Sequence, residues 1–457
     1  MTSQQPDNSV AEKLADRIVA LQPGGLPAVT ARKCEDLLMD VVGLCVAARN
    51  RDYVGSALAG WDDDGPCTVI GHKRTLTAAG AAFVNGTAAH GEDFDDTFEG
   101  GPVHAGAVIV PAVLAACERH NADGRMAQLG IAIGTEVLCR LSLVVPMAVH
   151  RAGFHPTAVF GAMGAAAGVG AALGLTARQI VDALGIAGSM AGGIIEYLAE
   201  GAWTKRLHAG WAAQSGLRAA LLARTGFVGP RTVFEGVHGL FNGFAHTTHG
   251  DYDALIGDFG SKWVTDTLAF KPYPCGTMAQ PYIDCARRLA ARGLNFDDIS
   301  QIVCEVAEGT VHRLWEPLAD KQRPQNGYAA KFATPYLLAA GLVHEGVGLA
   351  AFSGAAIRDV KVLALAAKVN YVIDPQNPYP ASYTGHIRAT MKDGSVFEER
   401  QAHLRGGAQE PLTRHDLTDK FVRNAQHGAW SASQCDVTAL LLATLYDGPI
   451  DLSAMRK

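Results

Sequence analysis

The stretch "AVFGAMGAAAGVGAALGL", residues 158–175, decides the fold class. It carries no charge and contains two GxxxG spacings, Gly164/Gly168 and Gly170/Gly174. A membrane-spanning helix needs about 20 consecutive apolar residues. This run falls short of that, and its Ala and Gly residues add little transfer energy. It therefore reads as a helix buried inside a folded protein, whose small residues let a neighbouring helix come close.

Outward from this helix the pattern stays helical from about residue 9 to 265. "ARKCEDLLMDVVGLCVAAR" (31–49) sets Leu37, Leu38, Val41, Val42 and Cys45 on one face. "TARQIVDALGIAGSM" (176–190) repeats the period behind Thr176, an N-cap residue. "QSGLRAALLARTG" (214–226) stops at Gly226, a C-terminal cap. The character changes after "FKPYPCG" (270–276), where two prolines punctuate the chain. Ile302, Cys304 and Val306 alternate within "ISQIVCEVAEGTV" (299–311), which predicts a half-buried strand. "GHIRATMKDGSVFEERQ" (385–401) predicts a hairpin turning at Asp393-Gly394. Between them, "YAAKFATPYLLAAGLVHEG" (328–346) reads as helix. Helix returns in "LTRHDLTDKFVRNA" (412–425), opened by Thr413 and Asp416 in near capping-box spacing. The expected fold is mainly α with a smaller α+β domain: helical over 1–269, α+β over 270–404, and helical again over 405–457.

Composition narrows the function. A chain of 457 residues is too long for one compact core, and 48% hydrophobic against 18% charged residues is globular. Net charge is −6 and basic residues form no block, which argues against a nucleic-acid partner. No charged and apolar leader opens the chain, so neither a signal peptide nor a membrane partner is expected. The nine cysteines are odd in number and scattered, without C-x-x-C, as in reduced thiols of a cytoplasmic protein. There is no GxGxxG after a strand, no P-loop and no G-x-S-x-G elbow. Hydride transfer, nucleotide hydrolysis and serine-hydrolase chemistry thus have no support. Proton transfer by side chains remains.

The polar residues that could do this are concentrated. "AAHGEDFDDTFEGGPVHAG" (88–106) holds Glu92, Asp93, Asp95 and Asp96 within five positions, between His90 and His104. Three readings stay open. His90, Asp93 and Asp96 could ligate a hard cation. The carboxylates could shift each other's pKa and orient a histidine. Or the turn could be a solvated helix end. Three basic sites also lie at segment starts or boundaries: His155 in "GFHPTAVFG", Lys205, Arg206 and His208 ahead of a small-residue helix in "WTKRLHAGWAA", and Lys271 in "FKPYPCG". Together they suit a substrate carrying several carboxylates.

"VNGTAAHGEDFDDT", "GFHPTAVFG", "TKRLHAGWAA" and "FKPYPC", in this order and spacing, resemble the MmgE/PrpD family over about residues 10–430. That family includes 2-methylcitrate dehydratase, cis-aconitate decarboxylase and iminodisuccinate epimerase. The resemblance implies a large helical domain with a smaller α+β lid, a cleft between them, a homodimer, and no metal or organic cofactor. The acidic turn would form one wall of the active site. By motif, Asp93, Thr97, His104, His155, Lys205 and Lys271 match the family's site positions. The chain departs at "VHAG", where Ala105-Gly106 replace Pro-Ser. Cis-aconitate decarboxylases also place a tyrosine near the end of the first lid strand, where this chain reads "GTVHRLW" (309–315).

The chemistry so implied makes or quenches a carbanion beside a carboxylate, with cations stabilising the developing charge. His104 would be the leading acid/base, His155 its partner, and Asp93 would orient a histidine. Lys271 and Lys205 would clamp and stabilise substrate carboxylates, with Thr97 and His208 also binding substrate. The partner is then a small di- or tricarboxylate. The expected activity is that of a cofactor-independent lyase, first a hydro-lyase, with decarboxylase or epimerase as alternatives. A non-catalytic metabolite binder is the competing class.

Overall fold

The computed structural model describes residues 8–344 and 346–456. The chain divides into two units. One comprises Met1–Gly91, Asp95–Leu268 and Arg414–Lys457; the other comprises Glu92–Phe94 and Ala269–Thr413.

The first unit is built from helices whose ends are written in the sequence. Thr176 caps Ala177–Met190 in a full capping box with Gln179, an arrangement that contributes about 1 kcal/mol. Helix Thr204–Arg224 ends at Thr225, and Gly226 follows at φ +94°. This left-handed C′ position is the one glycine fills best. The stretch that decided the fold class forms helix Pro156–Ala172, buried at every position. It crosses helix Gly124–Val144 glycine against glycine. A Cβ at Gly168 would stand 2.6 Å from the Gly130 carbonyl oxygen, and one at Gly134 would stand 2.8 Å from that of Gly164. Small residues on both helices are what let the backbones touch. Helix Gly124–Val144 is long and apolar enough to cross a membrane by length and composition, but 89% of its apolar window is buried inside the protein.

Helix Ala78–His90 is buried along its whole length. It packs on helix Thr204–Arg224 so closely that a Cβ at Gly210 would meet the Phe83 carbonyl oxygen at 2.0 Å. Two short strands, Asp64–Thr68 and Thr75–Leu76, pair antiparallel within the region read as helical. Their few residues, interrupted by Gly65 and Pro66, carry no alternation to read. Lys205, Arg206 and His208 lie within helix Thr204–Arg224 rather than ahead of it. Nothing in that stretch breaks a helix, so it starts at Thr204.

The second unit holds a four-stranded sheet in the order Val369–Ile373, Ile299–Val306, Gly385–Met391, Val396–Gln401. The first pair is parallel and the others antiparallel. Ile302, Cys304 and Val306 point into a core with Trp315, Tyr336, Ile387 and Ala389. The hairpin turns at Asp393-Gly394, with Gly394 at φ +83°. The strand read over 299–311 ends at Val306, and helix Glu308–Leu314 follows. The single helix read over 328–346 is two, Gly327–Ala330 and Thr334–Val343. Pro335 fits only the first turn of a helix, so a new one begins there. Residues 405–413 pack with this unit: the Gly406 carbonyl accepts from the Phe270 N–H at 3.0 Å, and Arg405 pairs with Asp284 at 3.0 Å.

Candidate active site

The helical unit brings four histidines into one cluster, three of them buried and His104 half-buried, each delivered by a different piece of chain. His90 ends helix Ala78–His90. His104 lies in the coil before helix Gly106–His120. His155 precedes Pro156 at the start of helix Pro156–Ala172 and donates its own N–H to the Gly193 carbonyl at 2.8 Å. His208 shares a helix face with Lys205, three residues earlier, and both are buried. Arg206 points elsewhere, stacking on Tyr53 at 4.5 Å.

The rings stand in contact. His90 is 5.1 Å from His104 and 5.7 Å from His155, centroid to centroid. His155 and His208 are 5.3 Å apart and bridged Nδ1 to Nδ1 at 3.2 Å. Tyr197 sets its ring edge against both, at 6.0 and 5.7 Å. A bond between two imidazole nitrogens needs one donor and one acceptor, so that pair shares a single proton. Burial lowers His155 well below the usual histidine range, helped by charge on His90, Lys205, His208 and His104. Burial, then His90 and Lys205, lowers His208 to about 4. Both imidazoles are therefore neutral near pH 7.

The adjacent acidic residues do different work. The Asp96 carboxylate accepts the N–H groups of Ala105 at 3.0 Å and Gly106 at 2.8 Å, the orphan donors at the start of helix Gly106–His120. Burial, reinforced by Asp95 and Asp40, pushes Asp96 up to about 7, while these two N–H bonds pull the other way. Asp95 accepts from His90 Nδ1 at 2.6 Å, with both side chains fully enclosed. His104 donates from Nδ1 to the Asp96 carbonyl at 2.7 Å, and its own N–H reaches the Thr157 hydroxyl at 3.2 Å. Thr97 is buried in the same unit.

Asp93 and Lys271 belong to the second unit. There the Lys271 ammonium donates to the Asp93 carbonyl at 3.0 Å. Asp93 takes φ +54°, a left-handed turn that aspartate tolerates better than most residues. Lys331, from "YAAKFATPY", donates to the Glu92 carbonyl at 2.5 Å and its carboxylate at 3.1 Å. Among the described residues no three His, Cys, Asp or Glu side chains converge as a metal-binding group, so His90, Asp93 and Asp96 do not form the trio that the spacing allowed. Cys275, of the "KPYPC" element, is pushed up to about 12 by burial and is no thiolate nucleophile at neutral pH.

His104, His155, Lys205, His208 and Thr97, singled out from the sequence, thus lie in one unit. The Asp95 bond to His90 had no local signal beyond the density of polar residues around positions 90–96, and the edge-on packing of Tyr197 and the anchoring by Lys331 had none.

Two families match the chain: the MmgE/PrpD N-terminal domain over residues 12–252 and the MmgE/PrpD C-terminal domain over residues 273–441. The chain is 26% identical over 448 residues to a cis-aconitate decarboxylase-like protein, oryM, of Aspergillus oryzae, covering 92% of this chain and 91% of that one. It is 26% identical over 452 residues to a cis-aconitate decarboxylase of Aspergillus terreus, with the same coverage. It is 29% identical over 436 residues to the cis-aconitate decarboxylase of Homo sapiens, covering 91% of this chain and 88% of that one.

Proposed function

Because the chain belongs to the MmgE/PrpD family, we propose that it is a lyase acting on a small tricarboxylate, by decarboxylation of the cis-aconitate type. The observation that carries the reading is the cluster of half-buried His104 with buried His155, His208 and Lys205. Relatives named as cis-aconitate decarboxylases, matching over nine-tenths of the chain, favour decarboxylation over the hydro-lyase expected from the sequence.

In this reaction the bond to the departing carboxylate breaks and CO2 leaves. The electron pair stays on carbon, conjugated with the neighbouring unsaturated carboxylate, until a proton quenches it. His104 suits the proton donor. Its Nδ1–H is committed to the Asp96 carbonyl, so the proton arrives and leaves at Nε2. Its side chain keeps 13% exposure, a path for reprotonation from solvent. Lys205 lies in the first turn of its helix, where the helix dipole adds to the lysine in favouring a carboxylate. His155 and His208, held neutral and sharing one proton between their Nδ1 atoms, would offer substrate one Nε2–H donor and one Nε2 acceptor without competing for its proton. These steps ask only for side-chain proton transfer. A homodimer belongs to the reading, supported by Trp203, Leu207 and Trp211, exposed four residues apart. So does a cytoplasmic location, supported by nine buried free cysteines.

A second reading, the hydro-lyase, is favoured by one feature. The stretch "GTVHRLW", in helix Glu308–Leu314 and its C-cap Trp315, contains no tyrosine. Proton NMR of the protein with cis-aconitate, 2-methylcitrate and citrate, each alone, separates the two. Itaconate vinyl signals from cis-aconitate are expected. An alkene growing only from a hydroxy acid would establish the hydro-lyase instead. Silence on all three would turn the assignment to epimerisation or metabolite binding.

A further inference from the structure

Asp95 lies within reach of two imidazoles. Its Oδ2 accepts from His90 Nδ1 at 2.6 Å and stands 3.9 Å from Nδ1 of His104. Its neighbour Asp96 is committed to the N-terminus of helix Gly106–His120 and gives His104 only a peptide carbonyl. We propose that Asp95 is a positioning residue for His104: it supplies the negative charge that holds the His104 imidazole in place for proton transfer at Nε2, and His90 limits that charge by occupying the same oxygen.

Three observations support this. The Asp95 side chain is fully enclosed, so its charge is poorly screened. His104 Nδ1 bonds a carbonyl, which only accepts, so this nitrogen carries a proton in both protonation states, with the Asp95 oxygen 3.9 Å away as a charge neighbour. His90 gives its Nδ1–H to Asp95, and its Nε2 is buried with no hydrogen-bond partner among the described residues. His90 is therefore held by the carboxylate itself rather than by a second anchor at Nε2.

The other groups near His104 are placed differently. The His90 ring, at the end of helix Ala78–His90, stands 5.1 Å from it, and His155, at the N-cap of helix Pro156–Ala172, couples to it electrostatically. His208 and Lys205, on helix Thr204–Arg224, act on His155 behind it. Asp40 and Lys33, on helix Ala28–Ala48, act on Asp96.

The inference rests on the reading of His104 as the proton donor, but its test does not need turnover. Histidine Cε1–Hε1 NMR signals of the full, substrate-free chain are followed across pH, with the His104 signal identified by its loss in His104→Gln. In Asp95→Asn the His104 midpoint should fall by about one pH unit. Asp95→Glu should restore part of it. In His90→Phe, which keeps a ring but removes the donor to the shared oxygen, the midpoint should rise. A midpoint unmoved in both Asp95→Asn and His90→Phe overturns the proposal. If Asp95→Asn does not fold, His90→Phe decides alone. The pH profile of kcat with cis-aconitate should then move in parallel. An NMR shift without any turnover in the parent protein would uphold the positioning role and remove the proposed reaction.

Discussion

In the helical unit two buried histidines face each other, whereas in the α+β unit two buried lysines face peptide carbonyls. His155 and His208 share one hydrogen bond and are pushed toward neutrality by burial. Lys271 and Lys331 instead donate to the carbonyls of Asp93 and Glu92, and Lys331 also pairs with the Glu92 carboxylate. The first arrangement meets burial by giving up charge, which leaves groups between which a proton can move. The second uses its lysine donors to hold a turn. Burial of ionisable groups is thus not one signal: its meaning depends on whether the partner can itself titrate.

The widest separation of the two regions should come from His104→Ala. Turnover of cis-aconitate should drop by about 10² or more while the unfolding midpoint stays near the parent's. Unchanged turnover would take His104 out of the proton-donor role and blur the contrast. Lys331→Met should do the reverse. It leaves the buried Glu92 without its lysine, and losing one partner of a buried ion pair costs about 3–5 kcal/mol. Urea unfolding measures that loss, and a change below about 1 kcal/mol would mean that the turn is held without the pair.

The smallest effect is the most diagnostic. His155 and His208 take up protons near pH 6.5 in the unfolded chain but only at lower pH when folded, His208 at about 4. Between those values the unfolded chain binds more protons, so stability falls as pH drops from about 6.5 toward 4. Asp96 opposes this. Raised to about 7 when folded, it takes its proton first in the folded state and adds stability over the same window. His208→Gln should be near neutral at pH 7 and should flatten the acid-side fall relative to the parent. Thermal unfolding at pH 7, 6, 5 and 4 reads the slope. An identical slope in parent and variant would mean that His208 takes up its proton at the same pH folded and unfolded, and the distinction between the two units would fail there.

Legibility followed the range of the interaction. The Thr176 cap, Gly226 after its helix and the Asp393-Gly394 hairpin each depend on residues within about four positions, and each stands as read. The Ala/Gly helix at 156–172 was legible because a chain of small residues has only close packing to offer. The break at Pro335 was missed because the flanking apolar period runs across it. Family motifs singled out His104, His155, Lys205 and Lys271, but as separate positions without partners. Asp93 was assigned to orient a histidine. In the helical unit the carboxylate bonded to His90 is Asp95, while the Asp93 carbonyl accepts from Lys271. Five consecutive positions with four carboxylates do not reveal which one faces which neighbour.

By itself, then, the amino-acid sequence determined the helical and α+β character of the two regions, the caps and turns that bound their elements, and the family. These follow from local sterics, hydrophobic period and motif order. Tertiary structure alone decided that His155 meets His208 across 53 positions and that Lys331 meets Glu92 across 239. It also set which histidines lose their charge. Desolvation and pairing depend on what the rest of the fold encloses, and no local pattern encodes that enclosure.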